Sequence, residues 1–193
     1  MADWWVSESV QAMLRQVNDR WPKRDRASDG ILGNADHQAS VSDHNPCWTC
    51  SGDRAGVVRA LDLDASMGGK AGYNTTDDAW KLAKQIKAAM VAGDKRIAYV
   101  IAYDPTAKTT KIASMNPEYQ PRGKWRTYGG ASHINHIHVS FTPAGDFRPR
   151  KFDLPIITEL QRKRLRKVRD ALADRIEELK AARRRVVRKL NRL

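Results

Sequence analysis

Residues 132–141 read SHINHIHVSF and contain three of the five histidines in this chain of 193 residues. Apolar residues alternate here with His136, His138 and Ser140, and a period of two predicts a strand that presents both imidazoles on one face. Neutral imidazole is a common metal ligand, so these two side chains can reach one ion or its bound water. The stretch therefore predicts a strand at a metal site, although a His-x-His pair on a solvated edge has the same pattern.

A second group of ligand residue types lies far upstream. His44 lies in a polar loop, and residues 57–64, which alternate apolar and polar side chains and predict a strand, carry Asp62 and Asp64 on one face. A loop histidine, a strand aspartate and a later strand histidine, with an open fourth position, match the way catalytic zinc is held. These residues predict one Zn²⁺ ion, and they leave open which aspartate binds it.

These motifs, in this order, resemble the zinc-dependent DD-peptidase superfamily of peptidoglycan hydrolases, which includes D-Ala-D-Ala carboxypeptidases and murein endopeptidases. The family pattern is Ser-x-His, Ala-x-Asp and a distant His-x-His, and it is matched by residues 42–44, 60–62 and 136–138. The likeness is closest to peptidase modules of actinobacterial phages and covers about residues 25–142. It implies that the zinc ligands are His44, Asp62 and His138.

The resemblance also implies the acid and base of the reaction. Many relatives place an acidic residue three positions before the last ligand, where this chain has Asn135, which cannot titrate. The murein endopeptidases instead have His-x-x-His-x-His, and by that likeness His136 or His133 is the general base and later the general acid.

Substrate contacts are expected around the same site. Arg126, beside aromatic residues, is suited to a substrate carboxylate. Together with the serine of the first motif, the predicted substrate-binding residues are Ser42, Trp125, Arg126 and Tyr128. Trp125 and Tyr128 can equally serve as packing residues of a lid.

Cys47 and Cys50 lie between the first motif, at 42–44, and the second, at 60–62. Two cysteines cannot form a closed zinc site, and the Gly- and Asp-rich context is unlike that of a redox Cys-x-x-Cys motif. We expect either a disulfide that closes the loop or two unreactive thiols.

The predicted fold class is α+β. Capping and periodicity predict helices at 7–20, with Ser7 as the N-cap, and at 76–92, with threonine caps at 75 and 76 and Gly93 as the stop. Alternation predicts strands at 57–64, 96–103 and 111–115, in a small antiparallel sheet. The family likeness implies a Hedgehog/DD-peptidase-like arrangement. A peptidase domain is predicted at 1–150, followed by a Pro-containing linker and a helix at 151–193.

The tail at 156–193 is a basic amphipathic helix by its pattern. It holds 14 Lys and Arg against 5 Asp and Glu, a net +9 of the chain's +13, and leucine or valine recurs every seventh residue from Leu165. Such a helix fits a homo-oligomer, docking on a virion protein, or binding to an anionic wall polymer, a membrane surface or nucleic acid. No nucleic-acid-binding signature occurs elsewhere in the chain.

The predicted function is a zinc peptidase that cuts stem peptides or cross-links of peptidoglycan. The alternatives are a wall-binding or virion structural protein that has lost catalysis, and a nucleic-acid binder. The N-terminus lacks a signal-peptide pattern, and the chain has no apolar run of 18 residues. For a phage protein that acts on the host cell wall, we therefore expect carriage on the virion or release from the host cytoplasm without a signal peptide.

Overall fold

A computed structural model describes residues 3–34, 40–67 and 77–154, together with 172, 175–176 and 178–180. Contacts divide the chain into two units, Met1–Pro155 and Ile156–Leu193. The elements of the first unit, in chain order, are β1 (Trp5–Val6), α1 (Glu8–Arg20), a 3₁₀ turn (Gly52–Arg54), β2 (Val57–Val58), β3 (Ala60–Asp64), α2 (Asp77–Val91), β4 (Ile97–Asp104), β5 (Thr109–Ser114), β6 (Arg126–Thr127), β7 (His136–Phe141) and a second 3₁₀ turn (Pro143–Gly145).

The strands form one antiparallel sheet of five, in the order β3-β7-β4-β5-β6, and a short parallel pair of β1 with β2. Together with α1 and α2 they make an α+β fold, as the sequence predicts at the level of class. The finer Hedgehog/DD-peptidase-like arrangement stays a prediction.

One face of the five-stranded sheet packs against both helices to form the core. Alternate residues of β3 and β7 point to this face and are fully buried, and they pack with apolar residues of both helices; the sheet residues include Leu61, Leu63, Ile137 and Val139, and the helix residues include Val10, Met13, Leu82 and Ile86. Because side chains alternate along a strand, Asp62 and His138 necessarily lie on the opposite face. Because the apolar residues of both strands are buried in the core, the polar residues that alternate with them share the opposite surface.

The predicted strand at 57–64 is interrupted at Arg59. The backbone N–H of Arg59 donates to the carbonyl of Asp43 at 3.0 Å, and the carbonyl of Arg59 accepts from the N–H of Phe141 at 2.8 Å. These bonds tie the loop that contains His44 to the sheet. The histidine strand also begins later than the motif suggests, at His136, which leaves His133 in the preceding loop.

The helix limits agree with their sequence signals. Ser7 is at the N-cap of α1, as predicted, but its hydroxyl donates to the carbonyl of Gly145 instead of capping the helix. Gly93, with φ of +107°, follows the end of α2 as the predicted stop. The predicted threonine caps at 75 and 76 lie outside the described residues.

Residues 151–154, which the sequence assigns to the linker, pack within the first unit. Phe152 and Leu154 are buried in the core, and the side-chain amide of Gln16 bonds both the N–H and the carbonyl of Phe152, at 2.8 and 2.9 Å. The chain from 151 to 154 is therefore part of the first unit, and the division follows Pro155.

The second unit is described only at a few positions. Residues 172, 175–176 and 178–180 are helical, and the predicted apolar stripe is exposed there at Leu172, Ile176 and Leu179. The rest of the helix predicted at 156–193 lies outside the described residues. Among the residues that are described, no helix is both long enough and apolar enough to cross a membrane.

Candidate metal centre

Three residues with metal-ligand side chains meet on the polar face of the sheet. Asp62 of β3 lies directly opposite His138 of β7 in the strand register, and His44 reaches the same point from the preceding loop. Backbone hydrogen bonds hold this loop beside the sheet. Gly30 pairs with Asp62 through two of them, and Gly33 N–H donates to the carbonyl of His44. His44, Asp62 and His138 can together hold a metal ion.

The three ligand atoms form a nearly equilateral triangle. Asp62 Oδ1 lies 3.0 Å from His138 Nδ1 and 3.3 Å from His44 Nε2, and the two nitrogens are 3.2 Å apart. A tetrahedral ion with ligand bonds of about 2.0–2.1 Å has edges of about 3.3 Å between its ligands. The triangle therefore fits one face of such a tetrahedron.

The outer nitrogens of both histidines have hydrogen-bond partners. His44 Nδ1 lies 2.7 Å from the carbonyl oxygen of Ile31, which only accepts, so Nδ1 carries the proton and Nε2 can act as a ligand. His138 Nε2 lies 3.0 Å from the hydroxyl of Ser140. A hydroxyl can accept from Nε2–H when Nδ1 is a ligand and donate when Nδ1 is protonated. Such outer contacts orient metal-binding imidazoles.

The charges of the site also favour a cation. Burial alone would raise the pKa of Asp62, but hydrogen bonds with His138 and His44 outweigh burial and hold the pKa well below its ordinary value. Burial opposes protonation of His44, yet the contact with Asp62 raises its pKa above the ordinary value. Without a metal the buried carboxylate is thus stabilised by its contacts with the two imidazoles, and a metal ion can take over that role.

Asp64, the second candidate carboxylate, has a different role. Its oxygens accept from the backbone N–H groups of Ser28 and Ser66, at 2.9 and 2.7 Å, and it is almost completely buried. Its own N–H donates to Asp29, which also pairs with Arg24. Asp64 therefore stabilises the loop against β3, and Asp62 is the aspartate that meets His44 and His138.

His136 lies at the edge of the triangle. Its Nε2 is 3.7 Å from Asp62 Oδ1, and its Nδ1 is 2.7 Å from the side-chain oxygen of Asn135. Because that oxygen accepts, Nδ1 carries the proton and Nε2 faces the site with a lone pair. Burial is the main cause that lowers the pKa of His136, so the ring is neutral near pH 7.

His133 lies behind His136 and is more deeply placed. Its ring centre is 4.7 Å from that of His136 and 5.8 Å from that of His138, and its Nδ1 lies 2.8 Å from the carbonyl oxygen of Ala131. His133 is 8% exposed. Of the two histidines predicted as general base, His136 is therefore nearer to the triangle.

Acid is expected to destabilise the metal-free protein through His133. Burial, with the nearby His136, lowers the pKa of His133 from 6.5 to about 4. Since the folded-state pKa is below the unfolded-state value, the unfolded protein binds more protons between these pH values, and stability present above about pH 6.5 is lost as the pH falls toward 4. His133→Asn, which cannot titrate, should remove about 2 kcal/mol of this loss between pH 7.5 and 4.5.

The measurement is urea unfolding of the chelator-treated parent and variant at both pH values. Comparing the two proteins isolates His133 from the other acid-sensitive groups, including His44. If the parent and the variant lost equal free energy of unfolding between the two pH values, the lowered pKa of His133 would be contradicted.

The four predicted substrate residues have different surroundings. Ser42 bonds the N–H of His44 at 3.3 Å and so shapes the ligand loop, and the Tyr128 ring meets His133 edge-on at 5.3 Å. Trp125 packs on Trp80, 4.7 Å between ring centres, against the core. This position agrees with the packing role that the sequence left open for Trp125.

Arg126 lies far from the triangle. It is opposite Ile112 on edge strand β6, three strand spacings or about 14 Å from the backbone of His138. Its guanidinium lies 4.7 Å from the centre of the Tyr119 ring. A substrate contact by Arg126 stays a prediction, and it would involve a part of the substrate well away from the metal ligands.

Tyr99 is a site residue that the sequence did not indicate. Its ring stacks on His138 at 5.4 Å, and its hydroxyl donates to Asp43 Oδ2 at 3.1 Å. Burial, followed by the charge of Asp43, raises the pKa of Tyr99, so the hydroxyl stays protonated. Only the register of β4 beside β7 places this tyrosine at the site, and no local motif marks it.

No protein-family model, curated protein or solved structure matches this chain. The chemistry of the site therefore has to be inferred from its own residues.

Proposed function

We propose that this protein is a zinc metallopeptidase that hydrolyses peptide bonds in the stem peptides or cross-links of peptidoglycan. The observation that carries the proposal is the triangle of His44, Asp62 and His138, which has the donor types and spacing of a catalytic zinc site and a neutral histidine beside it. Peptidoglycan as the substrate rests on the resemblance of the ordered motifs to DD-peptidases.

When bound, zinc would supply a Lewis acid that polarises the scissile carbonyl and lowers the pKa of water. His136 Nε2 is placed to accept a proton from the attacking water and to return it to the leaving amine. Asn135 holds that ring in the required tautomer, Tyr99 packs against the His138 ring, and burial keeps His136 unprotonated until it takes the proton. The proton-transfer role belongs to His136 because its Nε2 lies nearest to the triangle.

The biological setting is proposed on the same motif likeness. The protein is encoded by a phage and acts on the wall of the host cell, either at infection as part of the virion or at lysis after release from the host cytoplasm. The polar face of the sheet would take the peptide.

Two measurements on the purified full-length chain test the proposal. Elemental analysis is expected to find about one equivalent of zinc, as is usual for such sites. Digestion of purified peptidoglycan is expected to release new amino and carboxyl ends, and mass spectrometry identifies the bond that is cut. Zinc below about a tenth of an equivalent, even after reconstitution, would contradict the metal assignment. Zinc without any hydrolysis would favour a wall-binding or virion structural protein.

The basic tail is proposed to localise the enzyme. Its exposed apolar residues Leu172, Ile176 and Leu179 would mediate self-association or docking on a virion protein, while its Lys and Arg residues attract anionic polymer. Deleting residues 156–193 should leave hydrolysis of a small soluble peptide unchanged, abolish any oligomer and weaken binding to intact walls in a salt-sensitive way. Light scattering, a wall-sedimentation assay and peptide kinetics measure these effects. Loss of zinc or of folding on truncation would show that the tail is part of the peptidase domain.

A further inference from the structure

A cleft opens directly beside the metal-ligand loop. It has a volume of about 780 Å³ and is lined by Asp43 and Asn45, the two neighbours of His44 in the chain. Asp43 also accepts the hydrogen bond of Tyr99, whose ring stacks on His138. The cleft and the metal centre therefore share Asp43 as a common boundary.

The cleft concentrates the exposed apolar surface of the first unit. Eight large apolar side chains are exposed among the described residues of this unit, and four of them line this cleft: Trp4, Leu32, Val41 and Trp48. The two tryptophans are 47% and 54% exposed. Exposed tryptophans gathered in one concave surface beside a reactive centre are typical of a binding site, because isolated proteins seldom expose such patches without a function.

The Trp48 wall is held in place by several constraints. A disulfide joins Cys47 to Cys50, and Cys47 also bonds the carbonyl of Val57 and the N–H of Gly56, each at 2.9 Å. Gly56 has φ of +75°, and a Cβ there would lie 3.0 Å from the Trp48 ring and 2.8 Å from the backbone of Asp3. The ring is thus fixed before any ligand arrives, which reduces the entropy lost on binding.

The charges of the cleft favour a neutral ligand. Its charged residues are Asp43 and Arg59, and Arg59 is committed to the fully buried Asp146 by two bonds of 2.8 and 2.7 Å. Among the described residues that line the cleft, no other cation is present for a carboxylate, while Asp43 would repel one. Stem peptides carry carboxylates, whereas N-acetylated sugars have uncharged hydroxyl and amide groups.

We propose that this cleft, named here the tryptophan cleft, binds an N-acetylated pyranose of the glycan strand next to the peptide that is cut. A pyranose has C–H groups on its faces and hydroxyls around its edge. Aromatic faces carry partial negative charge and attract such C–H groups, and Asp43 and Thr49 can bond the hydroxyls at the rim. The inference rests on the proposed function for its choice of polymer, but binding can be measured without hydrolysis.

The experiment uses the full-length protein and a peptide-free tetramer of β-1,4-linked N-acetylglucosamine. Calorimetric titration of the parent, Trp48→Ala and Trp4→Ala is expected to show at least about tenfold weaker binding in both variants, as is usual when an aromatic anchor is truncated. Phe147→Ala is the matched control, because Phe147 is 52% exposed and does not line the cleft, and it should bind like the parent. Trp48→Phe, which keeps an aromatic face, should recover part of the affinity.

Hydrolysis then separates this inference from the proposed function. Trp48→Ala should lower kcat/KM at least about tenfold on intact peptidoglycan but less than twofold on a peptide without sugar. Equal binding of the tetramer by parent and Trp48→Ala, or no binding by the parent, would overturn the sugar site while leaving the peptidase proposal intact. An equal loss on both substrates would also overturn it and would assign the cleft to peptide. If the parent cuts neither substrate, the peptidase proposal fails, and the binding titration still decides whether the cleft holds sugar.

Discussion

Asp62→Asn is expected to yield a folded protein that holds less than about a tenth of an equivalent of zinc and has no measurable peptidoglycan hydrolysis. The substitution keeps the size of the side chain but removes the negative charge from one corner of the triangle, 3.0 Å from His138 and 3.3 Å from His44. Without that charge, two neutral imidazoles remain as ligands, and His44 loses the partner that raises its pKa. Elemental analysis after dialysis and an assay on purified peptidoglycan measure both effects.

Asp64→Asn is the matched control, on the same face of the same strand. Asp64 lies opposite His136 in the strand register, but it accepts two backbone N–H groups and is not one of the three residues of the triangle, so this variant should keep zinc and activity. An amide can accept only one of these bonds well, so the free energy of unfolding should fall by about 1–3 kcal/mol, measured in urea. If the outcomes were exchanged, with zinc lost from the Asp64 variant alone, Asp64 would be the ligand.

His136→Ala is expected to retain about one equivalent of zinc while kcat falls by two or more decades. Nε2 of His136 lies 3.7 Å from Asp62 Oδ1 and is directed there by the contact of Nδ1 with Asn135, which makes it the proton acceptor nearest to the metal ligands. Removing it takes away acid and base catalysis but none of the three ligands. Steady-state kinetics on a soluble stem-peptide fragment, with zinc measured on the same preparation, tests this expectation.

His133→Ala distinguishes between the two histidines. His133 is buried behind His136 and meets Tyr128 edge-on, so its removal should affect packing more than proton transfer, with kcat reduced less than about tenfold. A larger loss for the His133 variant than for the His136 variant would transfer the general-base role to His133. Full activity of His136→Ala would require another base, such as a carboxylate.

The strand of residues 136–141 could be predicted from sequence because its alternation is a local property. Ile137, Val139 and Phe141 are buried in the core, and His138 is directed to the opposite face, as period-two reading requires. The two helices were likewise marked by their apolar periodicity, their flanking caps and the glycine stop after α2. Ligand types are also local, so the candidate ligands could be listed before their geometry was known, and the motif likeness implies the set of His44, Asp62 and His138.

The choice between Asp62 and Asp64 could not be made from the residues alone. Both have the same chemistry and point to the same face, and only the strand register and the loop packed against β3 distinguish them. Ser28 and Ser66 place their N–H groups at Asp64, which leaves Asp62 for the histidines. The motif likeness had favoured Asp62, but the physical reason is this distribution of backbone donors.

The packing of residues 151–154 could not be predicted from composition for a related reason. Proline and glycine after β7 resemble a linker, but Phe152 and Leu154 are buried and Gln16 of α1 bonds the backbone there. Composition reports the tendency of a segment to be irregular, and an irregular segment can still be buried when another element supplies its hydrogen bonds.

The sequence by itself therefore determined the element types, the polar face of the histidine strand and the set of residues able to bind a metal, because alternation, capping and ligand chemistry are each encoded within a few neighbouring residues. Tertiary structure alone decided which atoms converge on one point. Four features depend on contacts between residues distant in the chain. They are the pairing of β3 with β7, the position of the His44 loop beside the sheet, the stacking of Tyr99 on His138 and the tryptophan cleft. Such contacts result from the packing of the whole core, which no local pattern records.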